Sequence, residues 1–187
     1  MKLLLVGGGG HARTVVDTLN DNGHEILAYT ALTPSTWLDV PHLSDAEVQS
    51  GDFDGFAMGV GGTMSDMLAA RLKLFRAYEK RGFEAVTLIH STAYVAPGAA
   101  VAVGATILPR AAVNSGAVIG AAAIINTGAI IEHDVRIGVG AHVAPGAVVL
   151  GAARVGGNAM IGAGAVVLPD GEVIDGGLVP ALRRHPL

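Results

Sequence analysis

Val113-Asn114-Ser115-Gly116-Ala117-Val118-Ile119-Gly120-Ala121-Ala122-Ala123-Ile124-Ile125-Asn126-Thr127-Gly128-Ala129-Ile130-Ile131 contains the rule on which the second half of this chain is written. Val113, Ile119, Ile125 and Ile131 stand six apart, and Ala117, Ala123 and Ala129 follow each of the first three at a distance of four. Read outward, the register runs back through Ile107, Val101 and Val95 to Ile89 and forward through Ile137, Val143, Val149, Val155 and Ile161 to Val167. The second column holds alanine from Ala93 to Ala165, with Val135 as its one exception. A helix needs apolar positions at a period of 3.6 and a long strand needs a period of two. A period of six, with one β-branched and one small residue, fits a short strand and a bend, repeated. The branched side chain fills the interior and alanine fits where the coil narrows. Gly98, Gly104, Gly116, Gly128, Gly140, Gly146 and Gly164 precede the alanines, where the chain must turn. Three such sides close a triangular coil, so residues 89 to 172 are expected to supply between four and five coils. Collagen is excluded, because glycine does not recur at every third residue.

The rest of the composition agrees. Glycine numbers 27 of 187 residues and aromatics make up only 4%, which describes a core of small and branched side chains. Without cysteine, disulfides, thiolate metal sites and a thiol acyl-enzyme are ruled out. A net charge of -4 leaves no electrostatic footprint for nucleic acid. Gly, Asn, Asp, Arg and Pro interrupt the apolar stretches, so no membrane insertion is expected. No segment reads as a secretory signal, and a cytoplasmic location is the expectation.

Before the repeat, Lys2 to Val6 reads as a strand, followed by Gly7-Gly8-Gly9-Gly10-His11, a helix over 12–22 and a second strand over Glu25–Thr30. A glycine loop at a helix N-terminus offers backbone N–H groups to a phosphate. The acid that grips a dinucleotide ribose is missing, since Thr30-Ala31-Leu32 ends the second strand. Residues 31–50 read as loop, 53–60 as a strand, 64–81 as a helix with Leu68, Leu72, Phe75 and Tyr78 on one face, and 84–89 as a last strand. The expected organisation is a Rossmann-like α/β domain over 1–88 and a β-helix over 89–187 with a short C-terminal tail. No flexible linker separates them, so they should pack together.

Chemistry is sought where the repeat is broken. Asn126-Thr127 leads to Glu132-His133-Asp134, a histidine between two acids inside an Ala/Val/Gly coil, with His142 nine residues on. His133 and Gly151 are eighteen apart, which puts a base one rung, about 4.8 Å, from a backbone N–H. Such a pair suits deprotonation and oxyanion binding, though a histidine between acids also suits a solvated turn. In a flat strand residues 133 and 134 would point to opposite faces, so their pairing requires a bend, with Glu132 as the other available partner.

The chain resembles, nearly end to end, the bacterial sugar acetyltransferases that join a Rossmann-like sugar-nucleotide domain to a left-handed hexapeptide-repeat β-helix. These include N-acetyltransferases of nucleotide-linked 4-amino sugars and relatives of the sialic acid O-acetyltransferases. The matching residues are Gly9-Gly10-His11, Leu88-Ile89-His90, Asn126-Thr127, Glu132-His133-Asp134, His142 and Gly151. The resemblance implies left-handed winding, an exception to the usual crossover rule. It also implies acetyl-CoA as co-substrate, no metal, and a homotrimer with acetyl-CoA between neighbouring β-helices. By the same resemblance His133 is the general base and Asp134 raises its basicity. Gly151 N–H holds the oxyanion, His142 and Ala163 contact acetyl-CoA, and Gly9, Gly10, His11 and Gly61 hold the acceptor. His90 takes a structural place at the junction, and Arg183 and Arg184 could meet CoA phosphates, though a basic tail also suits plain solvation. Relatives that bind UDP-sugars carry an acidic pair after the second strand, where Thr30-Ala31-Leu32 stands here. N-acetylation of a nucleotide-linked amino sugar leads, with O-acetylation of a sialic acid or related sugar also open. Two other classes share a β-helix: a zinc-dependent carbonic anhydrase, disfavoured by the spacing of His90, His133 and His142, and an inactive β-helix assembly module.

Overall fold

The computed structural model describes residues 1–186. The first unit is built on β1 (Lys2–Val6), whose Leu3, Leu4, Leu5 and Val6 are all buried. A run apolar on both faces belongs in the middle of a parallel sheet, and β1 pairs in parallel with both β2 (Glu25–Thr30) and β4 (Gly55–Met58). Helix α1 (Gly10–Asp21) connects β1 to β2, and α2 (Ser65–Lys80) follows β4. Residues 31–50 are not all loop. β3 (His42–Leu43) adds a fourth strand beside β2, giving the order β3-β2-β1-β4, and Ser50–Asp52 forms a 3₁₀ turn. The stretch 84–89 is not one strand. Ala85 bridges Phe56 in the first sheet, whereas Leu88–Ile89 (β5) already pairs with Thr106–Ile107 in the coil.

From β5 the chain runs in two-residue strands at six-residue spacing as far as Arg184–His185. The strands stack into three parallel sheets of five, six and six members, so the solenoid completes five coils and part of a sixth. Partners are eighteen apart throughout: Ile107, Ile125, Val143 and Ile161 lie one above another. The period-six column is the second residue of each strand and points inward. From Ile107 to Val179 its members are at most 4% exposed, and they form one core with the alanine column. Truncating one of these isoleucines to alanine would cost about 2–5 kcal/mol. The expected tail is instead the last partial coil, because Val173, Val179 and His185 continue the column.

The bend is more uniform than its glycines suggest. Every sixth residue from Gly104 to Leu182 has φ between +52° and +75°, including Arg110, Ala122, Asp134, Ala152, Asn158, Asp170 and Leu182. Gly98, expected to turn likewise, has no such φ. From Gly104 onward each of these corners therefore imposes a left-handed residue whatever its side chain, at roughly 1–2 kcal/mol where that residue is not glycine.

Three faces of the prism have different neighbours. The face carrying Thr106, Ile124, His142 and Met160 is buried under the first unit, where Leu68 of α2 packs on Ala144 and Met160. Phe75 of α2 lies against Gly104. The next face presents Tyr94, Ala112, Ile130, Val148, Val166 and Arg184 in one ladder. The third carries Ala100, Val118, Arg136, Arg154 and Glu172. The two units are also tied at the junction, where Asn22 donates to Ile89 O and Ser91 donates twice to the Asp21 carboxylate. His90 sits there, its Nδ1 within hydrogen-bond distance of Thr92 and 3.9 Å from Asp21. Among the described residues no helix is long and apolar enough to cross a membrane.

Candidate active site

The sequence-derived residues fall into two clusters and one outlier. The first occupies the coil corner after Ile130–Ile131. Asp134 takes the left-handed corner conformation, φ +61°, which an aspartate tolerates better than most residues. That bend turns its side chain back on its neighbour, and His133 Nδ1 lies 3.0 Å from Asp134 Oδ2. Asp134, not Glu132, is therefore the partner. With the carboxylate accepting from Nδ1–H, Nε2 carries the free lone pair. The bond to Asp134 holds the His133 pKa above its ordinary value, and both side chains are exposed.

Glycine makes the room. A Cβ on Gly151, one coil further, would lie 2.6 Å from His133 Nε2. A Cβ on Gly116, one coil earlier, would collide with Asp134 Oδ1. The pair thus lies flat over two side-chain-free places. Ala152 N donates to His133 O at 2.9 Å, while no backbone carbonyl among the described residues accepts from Gly151 N–H. A base with a free lone pair and an unspent N–H on the adjacent rung can accept a proton and stabilise an oxyanion.

The second cluster gathers Gly9, Gly10, His11 and Gly61 around a cavity of about 1030 Å³ at the C-terminal ends of β1, β2 and β4. This is where open parallel sheets hold ligands. Gly7 has φ +107°, and a Cβ there would meet Val60 backbone at 2.8 Å, so only glycine lets the two crossing turns touch. Gly9 caps α1 without a side-chain bond, and Gly9 and Gly10 are exposed with open space where a Cβ would be. Trp37 reaches over the loop, its Nε1 donating to Gly8 O at 3.0 Å, and Arg13 stacks 4.5 Å from the Trp37 ring. His11 packs on Gly61. Burial, with Arg71 and His142 nearby, pushes its pKa down to about 4, so it is neutral at pH 7.

His142 joins this second cluster. Its ring is 6.5 Å from that of His11 and only 6% exposed. Nδ1 lies 2.7 Å from Gly62 O and Nε2 lies 2.9 Å from Asn126 Nδ2. A carbonyl demands a donor and an amide nitrogen demands an acceptor, so the ring is the neutral Nδ1–H form, and burial lowers its pKa. Both nitrogens are thus engaged within the chain. The side chain expected beside acetyl-CoA is enclosed between the units, and Asn126 is the group it presents outward. Ala163 is exposed at the coil corner below Pro145 and belongs to neither cluster.

Arg71 was not singled out by the sequence. It is 1% exposed, donates from Nε to Val60 O at 2.7 Å and from Nη1 to Ala122 O, and lines the cavity. Burial pushes its pKa down to about 10. It rivets the Gly59–Gly62 turn to the coil. The available signal was a charged residue three places after Leu68, inside the apolar stripe of α2. Among the described residues no group of three or more His, Asp or Glu side chains is placed to hold a metal ion.

Neither a family model nor a curated relative matches the sequence. Solved structures do. The acetyltransferase domain of PglB from Neisseria gonorrhoeae, in complex with acetyl coenzyme A, is similar at a TM-score of 0.87 and 26% identity, over 96% of this chain and 88% of that one. A histidine-to-alanine variant of GDP-perosamine N-acetyltransferase from Caulobacter crescentus, in complex with CoA and GDP-perosamine, gives 0.79 and 25% over 97% and 94%. PerB from Caulobacter crescentus, with the same two ligands, gives 0.68 and 28% over 97% and 91%. The chain's structural neighbours are thus bacterial sugar N-acetyltransferases, and the solenoid it shares with them is the left-handed β-helix acetyltransferase fold.

Proposed function

We propose that this chain is an acetyl-CoA-dependent N-acetyltransferase of a nucleotide-linked amino sugar, working by direct transfer with His133 as general base. The observation that carries the reading is the corner itself: a histidine oriented by Asp134, its free Nε2 turned toward a glycine whose N–H is unspent. The kinship in fold with acetyltransferases that hold acetyl-CoA or CoA with a nucleotide sugar supports it.

Acetyl-CoA, when bound, supplies the acetyl group as a thioester. His133 Nε2 accepts the proton lost by the acceptor amine as its nitrogen bonds the acetyl carbonyl carbon. Gly151 N–H faces the oxyanion that develops there, a contribution of about 3–4 kcal/mol for a well-placed donor. The C–S bond then breaks, and protonated His133 returns its proton to the departing sulfur. Asp134 holds the Nδ1–H tautomer and stabilises the imidazolium while it lasts. His142 serves the cofactor side by fixing Asn126, and Ala163 lies further along the same surface.

Residues 1–88 are a Rossmann-like acceptor domain in this reading, and residues 89–187 the transfer domain. Support for the first comes from the strand order β3-β2-β1-β4 and from the glycine loop opening α1. Gly9, Gly10, His11 and Gly61 hold the acceptor. The protein works as a cytoplasmic homotrimer. Its support is the apolar ladder from Tyr94 to Val166, where Tyr94 is 56% and Ile130 36% exposed along one face of the prism, while the third face carries the charged Arg136, Arg154 and Glu172.

The test is release of free CoA thiol from acetyl-CoA across UDP-, GDP- and dTDP-linked amino sugars and sialic acids. One nucleotide-linked amine should react well above the rest. Reaction with sialic acids alone would replace the acceptor, and no reaction with any, in the absence of acetyl-CoA binding, would leave an assembly module.

A further inference from the structure

The end of β2 lacks an acid, but the cavity does not. Asp45 is the only carboxylate among the described residues lining it. It arrives from the neighbouring strand: β3 pairs Leu43 with Thr30, so the chain leaving β3 emerges beside the end of β2 two residues later at Asp45. Its position is fixed from both sides. Ser44 donates from N and Oγ to Glu47 Oε2, each at 2.7 Å, which holds the turn. Tyr78 OH, on α2, donates to Asp45 Oδ1 at 2.6 Å. Since that hydroxyl has one proton, it must accept from Thr30 Oγ1, 3.0 Å away. Thr30, the residue at the end of β2 where an acid is missing, is thus wired through Tyr78 to a carboxylate one strand over. Asp45 Oδ2 has no partner among the described residues and the residue is exposed to the cavity.

We infer that Asp45 is the specificity-determining residue that recognises the ribose of the nucleotide-linked acceptor, its free carboxylate oxygen accepting from the ribose 2′-hydroxyl. This rests on the nucleotide-sugar reading above and sharpens it, because it selects ribonucleoside diphosphate sugars over 2′-deoxy ones. A carboxylate at the C-terminal edge of a parallel sheet, flanking a glycine loop, has the geometry for a sugar diol. Hydrogen bonds from neutral hydroxyls to an ionised acceptor are among the stronger kinds. The acceptor nucleotide would then span the cavity, phosphates toward Gly9 and Gly10 and ribose toward Asp45.

The experiment is calorimetric titration of the full-length protein with UDP, GDP and their 2′-deoxy counterparts, repeated on Asp45→Asn and Asp45→Ala. Wild type should bind the preferred ribonucleotide about tenfold more tightly than its 2′-deoxy form, and in both variants the ratio should fall below about twofold. Asp45→Asn keeps an acceptor for Tyr78, so its loss of discrimination is not a folding effect. In turnover, KM for the nucleotide sugar should rise in both variants with kcat little changed. A wild-type ratio near one, or a tenfold ratio that survives in both variants, overturns the inference while acetyl transfer to nucleotide sugars still stands. Acetyl transfer only to nucleotide-free sugars, with no diphosphate binding, overturns the nucleotide reading itself.

Discussion

Adding one methyl group at Gly151 should disable the enzyme without unfolding it. Gly151 has no left-handed φ, so alanine fits its backbone. The new Cβ would stand 2.6 Å from His133 Nε2 and 2.7 Å from Cε1. Ordinary contact requires the imidazole to retreat by about 0.8 Å. It can do so cheaply in stability, because its side chain is 63% exposed, but the movement takes Nε2 off the reacting proton and strains the 3.0 Å bond to Asp134. A misplacement near 1 Å at a reacting centre costs on the order of 10²-fold, equivalent to about 2.7 kcal/mol of activation free energy. Gly151→Ala is therefore expected to lower kcat about 100-fold while the thermal midpoint moves by no more than a degree or two. The assay is steady-state CoA release beside thermal unfolding of the same preparation. Since Asp134→Asn acts through the same ring, the double variant should lose less than the product of the two single losses. A variant that keeps more than a third of wild-type kcat, with its fold intact, would refute the placement of the base.

Three further outcomes follow from the same geometry. His133 works only when neutral and its pKa is raised by the bond to Asp134, so kcat should climb with pH through that pKa. In Asp134→Asn the climb should begin at lower pH and reach a lower plateau; an unmoved limb in the pH–rate profile would count against the pairing. His11 is held down near 4 against 6.5, so the unfolded chain binds more protons between those values and stability falls as pH drops through the window. His11 alone should account for about 2.5 kcal/mol lost between pH 7.5 and 4.5, measured by urea unfolding, and His11→Gln should flatten that slope. His142→Phe leaves Gly62 O without its donor and Asn126 without its acceptor. It should cost about 2 kcal/mol, lowering the thermal midpoint by roughly 4–8 °C, and raise KM for acetyl-CoA; a raised KM for the sugar alone would contradict the role given to Asn126.

The coil was legible because its rule is local and strict: a branched residue that must fill a triangular interior cannot be replaced for fourteen successive sides. The register continues past Gly171: Glu172, Leu178 and Arg184 stand at outward positions, and Val173, Val179 and His185 carry the stacking. The same counting located His133 beside Gly151. It also contained Gly116, eighteen before Asp134, which went unread because a glycine in a glycine-rich coil carries no mark of its own. What the sequence hid were contacts between the units. His142 looked like a cofactor residue on a coil; its burial comes from the covering turn Gly59–Gly62, eighty places away. Arg71 interrupts an apolar stripe for a reason found only in Ala122 of the coil. β3 is only two residues long, His42–Leu43, too short for any periodicity to reveal it, yet it carries Asp45 to the cavity.

The central claim, that His133 takes the proton during acetyl transfer, is tested most directly by His133→Asn in single-turnover CoA release with acetyl-CoA binding measured alongside. An asparagine at this exposed corner should leave the fold and the acetyl-CoA affinity near wild type and lower the transfer rate by at least 10²-fold. A transfer rate within threefold of wild type at saturating substrates, from a variant that still binds acetyl-CoA, would show that the proton leaves by another route.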